Sequence, residues 1–199
     1  MKRHWSKEFG PAYFITNTIV EWKNIFIFQP YIKIILKSWE HFQKNRGIVF
    51  YAFVVMPSHL HYIVQPTDEK YNIVDMQRDF KKFTAKRILD GLNHELEHGM
   101  FPVVDVFKNK TLNREPAEDL IRLFQKIGKY RNQSHKVWMS DEKPEAIHSE
   151  DFMVQKVNYI HFNPVKSELV KEPQEYPFSS ARNYYLEDES LFTIAKVGP

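Results

Sequence analysis

The chain of 199 residues has no cysteine, which excludes disulfide staples, thiolate zinc sites and a cysteine nucleophile, and suits a reducing compartment. Glycine is scarce as well. The six glycines form neither a P-loop nor a G-x-G-x-x-G, so nucleotide-driven and dinucleotide chemistry have no anchor. No run reaches the roughly eighteen apolar residues of a membrane span, and residues 1–10 are charged, without the apolar core of a signal peptide. A cytoplasmic protein with no membrane partner is expected. Nor does one charge dominate, since the formal net charge is only +3.

At 43% hydrophobic and 15% aromatic, the chain can bury a substantial core, most simply as one domain over residues 1–199. No repeat or Pro/Gly-rich linker divides it. The basic residues are bunched: Arg78, Lys81, Lys82, Lys86 and Arg87 in one stretch, Arg122, Lys126, Lys129, Arg131 and Lys136 in another. Such runs are either solvated helix faces or contacts for a polyanion, where each Lys or Arg set on a phosphate releases counterions.

The β-branched and aromatic residues of 13–22 predict a first strand. Pro30 suits the first turn of a helix whose Ile32, Ile35, Leu36, Trp39 and Phe42 share one face, up to Gly47. Two further strands follow as a hairpin over residues 48–66. Asn72 is placed to cap a second helix with an apolar stripe of Ile73, Met76, Phe80, Phe83 and Ile88, and with Arg78, Lys82 and Lys86 in a row on another side. From residue 91 to 111 the periodicity lapses and a loop is expected. Pro116 opens an amphipathic run through Leu120, Leu123, Phe124 and Ile127 to Gly128. Residues 136–138 and 146–148 read as short strands about an acidic turn. Ser149, Glu150 and Asp151 start a last helix reaching about Phe162, with Met153, Val157 and Ile160 toward the core.

Two stretches carry chemistry. In the hairpin, alternate strand residues share a face, so His59 and His61 point one way while Leu60, Tyr62 and Val64 point the other. Two close imidazoles can chelate one divalent cation; they can equally be partly buried histidines at a strand start. On the last helix, Tyr159 lies off the apolar stripe with Gln155 and Asn163 on its ridge at i−4 and i+4. Pro164 disfavours helical geometry at Asn163, which places that amide at a frayed end, free to turn its oxygen toward a metal.

The pair MPSHLHYIV (56–64) and VNYIHFNPVKSELV (157–170), followed by YPFSSARNYY (176–185), resembles the REP-associated tyrosine transposases. These are a branch of the single-tyrosine HUH, or insertion-sequence-200-like, transposases. His59-Leu60-His61 matches the His-hydrophobic-His motif, and Tyr159, Ile160, Asn163, Pro164 and Val165 match Tyr-Ile-x-x-Asn-Pro-Val; Ser58 stands where Asn is common. Residues 91–134 have no counterpart and read as a family-specific insertion. The resemblance implies an α+β fold, a ferredoxin-like antiparallel sheet with packed helices. It implies an enzyme that cleaves and rejoins single-stranded DNA at hairpin, palindromic elements through a 5′-phosphotyrosine formed on Tyr159, with Mg²⁺ or Mn²⁺ on His59, His61 and Asn163. Backbone contacts are expected from Arg78, Lys82, Lys86, Lys166 and Arg182, in a monomer or homodimer associated with the nucleoid. Histidines of ordinary pKa would release the metal as pH falls through about 6.

Other readings compete. His94-Glu95-Leu96-Glu97-His98 fits the zinc-peptidase pattern H-E-x-x-H, although Gly91, Gly99 and Pro102 crowd it. A non-catalytic single-strand-binding sheet would bind nucleic acid without covalent capture. A two-histidine phosphoesterase needs paired H-x-T/S elements, and only His4-Trp5-Ser6 fits.

Overall fold

A computed structural model describes residues 10–68, 70–108, 110, 112, 114–140 and 142–197, so His4-Trp5-Ser6 lies outside the described residues. Its centre is a four-stranded sheet in the order β2-β3-β1-β4, with β1 Ala12–Thr18, β2 Ile48–Val55, β3 His59–Pro66 and β4 Glu145–Ile147. The pairs β1–β3, β1–β4 and β2–β3 are all antiparallel. With α1 Gln29–Asn45 between β1 and β2 and α2 Ile73–His98 after β3, the layout is the βαββαβ of the ferredoxin-like fold. Three more helices, α3 Ala117–Lys129, α4 Glu150–Lys166 and α5 Ala181–Leu186, complete the α+β architecture.

The helices α1 and α2 cover one face of the sheet. Trp39 of α1 is fully buried among Phe50, Phe53, Tyr62, Phe80 and Phe192, with ring centroids 5.0–6.5 Å away. Burying rings of this size is the main source of core stability. On the same face a closed polar triangle satisfies its own members: Tyr62 donates to Asn17 Oδ1 (2.8 Å), Asn17 to Gln77 Oε1 (2.9 Å), and Gln77 to the Tyr62 hydroxyl. Gly47 turns the chain from α1 into β2 at φ 53, where a Cβ would lie 2.9 Å from Thr67 Oγ1. The outer edge of β2 is not bare, because Val55, Ser180 and Ala195 amides bond Phe178, Phe53 and Phe50 carbonyls and tie residues 178–195 along it.

Several sequence expectations need correction. The first strand ends at Thr18, and Val20–Trp22 is a tight turn. The second helix does not stop near Gly91 but runs on to His98. Gly91 is there for close approach, since a Cβ would sit 2.8 Å from Tyr31 Cε1 on α1. Phe83 is half exposed, and the buried stripe of α2 passes instead through Phe80, Thr84, Ile88, Leu92 and Glu95. Residues 136–138 form no strand; Trp138 makes a single bridge to Ile19. The last helix continues through Pro164 to Lys166, so Asn163 lies inside it and is buried. Pro164 is tolerated because it sits in the final turn, and its carbonyl still accepts from Leu169 N (3.0 Å). No helix among the described residues is long and apolar enough to cross a membrane.

Candidate functional site

The second face of the sheet carries the polar centre. The register pairs Thr18 with His59, Thr16 with His61 and Phe14 with Ile63, so these side chains share one face. Helix α4 packs over β2 and β3 on that side. Ser149 caps it by accepting from Phe152 N (3.2 Å), and Met153, Val157 and Ile160 fix its inward face, as the sequence spacing predicted.

The packing brings together residues 98 positions apart: the Tyr159 hydroxyl stands 3.5 Å from His61 Nε2. That separation is contact rather than a strong hydrogen bond. Tyr159 is 39% exposed, so its hydroxyl is within reach of a ligand. The imidazoles of His59 and His61 lie with centroids 4.8 Å apart at 73°, and Asn163, one helical turn beyond Tyr159, hydrogen-bonds the His59 ring. Each ring is also held from behind. Thr16 Oγ1 lies 2.9 Å from His61 Nδ1, and Ser58 Oγ lies 3.2 Å from His59 Nδ1. Such partners orient the rings and engage the Nδ1 side of each.

Electrostatics suit a metal. Burial lowers the His59 pKa from 6.5 to about 4, against a raising contribution from the Asn163 hydrogen bond. His61 falls to about 3, through burial first and then repulsion by His59 and Lys156. Both rings are therefore neutral at neutral pH, the state in which imidazole binds a cation. Two neutral imidazoles with an amide oxygen beside them, from Asn163, are donors of the kind that could hold Mg²⁺ or Mn²⁺. No cluster of three His, Cys, Asp or Glu that could hold a metal occurs among the described residues.

Sequence reasoning missed Phe14, Thr16, Lys156 and Trp22. Phe14 stacks on His61 (5.5 Å, 18°) and meets Tyr159 edge-on (5.7 Å), while Lys156 Nζ lies 4.3 Å over the Phe14 ring and pairs with Glu145. Trp22 meets His59 edge-on at 5.2 Å. The i−3 spacing of Lys156 from Tyr159 was a signal for one of them; the β1 residues required the register.

The expected DNA-contact residues separate into three groups. Lys166 joins the centre, its Nζ 5.6 Å over the Tyr159 ring. Arg78, Lys82 and Lys86 line a groove of about 870 Å³ between α2 and residues 133–140, in the layer on the other side of the sheet. Within that row Arg78 is paired with Asp75 and Asp79. Arg182 is engaged by Asp188 (2.8 Å) and donates to the Gln174 carbonyl (3.1 Å), a structural engagement that leaves its guanidinium little for a phosphate.

The H-E-x-x-H stretch closes α2 and behaves as structure. Glu95 is buried, receives a bidentate Arg114 (2.7 and 3.1 Å) and accepts from the Tyr31 hydroxyl (2.6 Å), so it is not placed to activate water. His94 and His98 stack at 4.2 Å instead of converging on a third ligand.

No protein-family model matches the chain, and no curated protein matches it. Among solved structures, one described as a REP-associated tyrosine transposase bound to a REP hairpin is similar, with a TM-score of 0.55 at 18% identity, covering 100% of this chain and 91% of that chain. The two share a fold.

Proposed function

We propose that this protein is a metal-dependent DNA strand transferase that cleaves and rejoins single-stranded DNA beside hairpins. The observation that carries the reading is the convergence of an exposed phenol on two neutral, back-supported imidazoles from the other end of the chain. The hairpin bound by the fold relative supports the substrate class.

His59, His61 and Asn163 would hold a divalent ion, which when bound would supply Lewis-acid polarisation of the scissile phosphate. The protein's own residues do the rest. The phenolic oxygen of Tyr159 gives up its proton and forms a bond to phosphorus as the bond to the 3′ oxygen breaks; the departing 3′ oxygen takes up a proton, so the freed strand leaves with a 3′-hydroxyl and no net proton is consumed. The other strand stays on the protein as a 5′-phosphotyrosine. Because that ester keeps the energy of the broken bond, a 3′-hydroxyl can attack it and join strands without ATP. Thr16 holds the His61 ring in its orientation, and Lys166 beside the phenol is placed to meet a phosphate oxygen. Lys82 and Lys86 extend the cationic track into the groove.

Labelled hairpin oligonucleotides with Mn²⁺ test this on a denaturing gel. The wild type yields cut strands, and Tyr159→Phe keeps hairpin binding while losing cleavage. An unchanged cleavage rate in that variant would remove Tyr159 from the chemistry, and binding without any cleavage by the wild type would favour a non-catalytic module.

A further inference from the structure

The turn after β1 is built against local preference. Lys23 N closes it on the Val20 carbonyl (3.4 Å), and both central residues have positive φ, Glu21 at 52° and Trp22 at 54°. A turn with two left-handed residues ordinarily takes Asn-Gly, because side chains with a Cβ are strained there. Here a glutamate and the bulkiest side chain occupy it. The surroundings hold it in place: Val20 N bonds the Val137 carbonyl (2.9 Å), Trp22 N the Ile19 carbonyl (2.9 Å), and Lys23 pairs with Glu21 and Glu115.

What the strain achieves is placement. The indole is 57% exposed, and it stands edge-on to His59 at 5.2 Å. The turn that carries it is also tied to the wall of the basic groove. Residues 137–139, part of the groove wall, bond to Val20 and Thr18, and Thr18 pairs with His59. Backbone strain persists where the structure over-determines it, commonly at ligand sites. An exposed indole beside the histidine pair suits a ligand that carries a flat π face next to a phosphate, as a nucleotide does.

We propose that Trp22 is a stacking platform for the base next to the scissile phosphate, fixing which nucleotide of the strand enters the centre. The proposal rests on the single-strand reading above. It makes Trp22 a positioning and specificity residue, with no part in bond breaking.

The test uses the full chain and two labelled strands of about sixteen nucleotides, an oligothymidylate and an abasic strand with the same phosphates. The wild type should prefer the oligothymidylate. Trp22→Ala and Trp22→Gly should each weaken its binding by about tenfold while leaving the abasic strand within about twofold, and Trp22→Phe should restore most of the loss. The glycine variant suits the turn and should melt no lower than the alanine variant, which separates lost stacking from lost folding. Binding of oligothymidylate by Trp22→Gly as tightly as by the wild type overturns the proposal, as does an equal loss on the abasic strand or a wild type indifferent to bases. Covalent capture of hairpin oligonucleotides with Mn²⁺, run alongside, scores the nuclease reading by itself. Capture with no base-dependent Trp22 effect sinks the stacking alone; a base-dependent Trp22 effect without capture sinks the nuclease alone.

Discussion

Burial is what keeps His59 and His61 neutral. An imidazole that titrates at 6.5 when free is charged in the unfolded chain at mildly acidic pH, whereas His59 and His61 in the fold resist protonation down to about 4 and about 3. His161 behaves alike, buried beside Ser180 Oγ (2.9 Å) with its pKa lowered to about 3. The folded values are depressed, so the unfolded state binds more protons between roughly pH 6.5 and 3. Stability from these groups is fully present above 6.5 and is lost as pH falls through that window. Two results are expected. The melting temperature should decline steadily as pH is lowered from 7 to 4, and Mn²⁺ affinity, measured by titration, should hold to near pH 4 instead of failing near 6 as free histidines would. Metal loss centred near pH 6 would mean that the rings are more solvated than their burial implies.

Among the elements, α2 and α4 show what a sequence discloses and what it hides. The cap at Ser149, the inward face of α4 and the shared face of His59 and His61 were legible, because caps and periodicities are local rules. Gly91 and Pro164 misled for the same reason: each is a local breaker. One is required by contact with Tyr31, and the other sits where the helix is already ending. Likewise Glu95 reads as a peptidase residue until its partners appear from Tyr31 and Arg114, 64 and 19 positions away. That pair is nearly sealed, with side chains 1% and 2% exposed, and the Arg114 guanidinium lies 4.5 Å over Phe28. Removing one partner strands a buried charge. Glu95→Ala should therefore destabilise the fold by about 3–5 kcal/mol in chemical denaturation. A stable variant that lost bound zinc and peptidase activity would restore the rival reading.

At the scale of the molecule, the sheet separates a chemical face from a basic one. His59, His61, Tyr159, Asn163 and Lys166 gather under α4, while Lys82 and Lys86 line the groove along α2. A strand that serves both must pass the end of β1, where residues 137–139 are tied to Thr18. Affinity from such a track comes largely from counterion release. Replacing Lys82 and Lys86 together by Ala should lower hairpin affinity and flatten the slope of log K against log salt by about 1.4. An unaltered slope would remove the groove from the binding path.

A nucleophilic Tyr159 becomes covalently joined to DNA. The most direct measurement is mass spectrometry of the protein after incubation with hairpin oligonucleotides and Mn²⁺, quenching in denaturant and digestion. A nucleotide phosphate on the peptide bearing Tyr159, linked through the 5′ phosphate and absent when metal is chelated, is the predicted result. DNA cut with no adduct on the protein, or an adduct on another tyrosine, would contradict it.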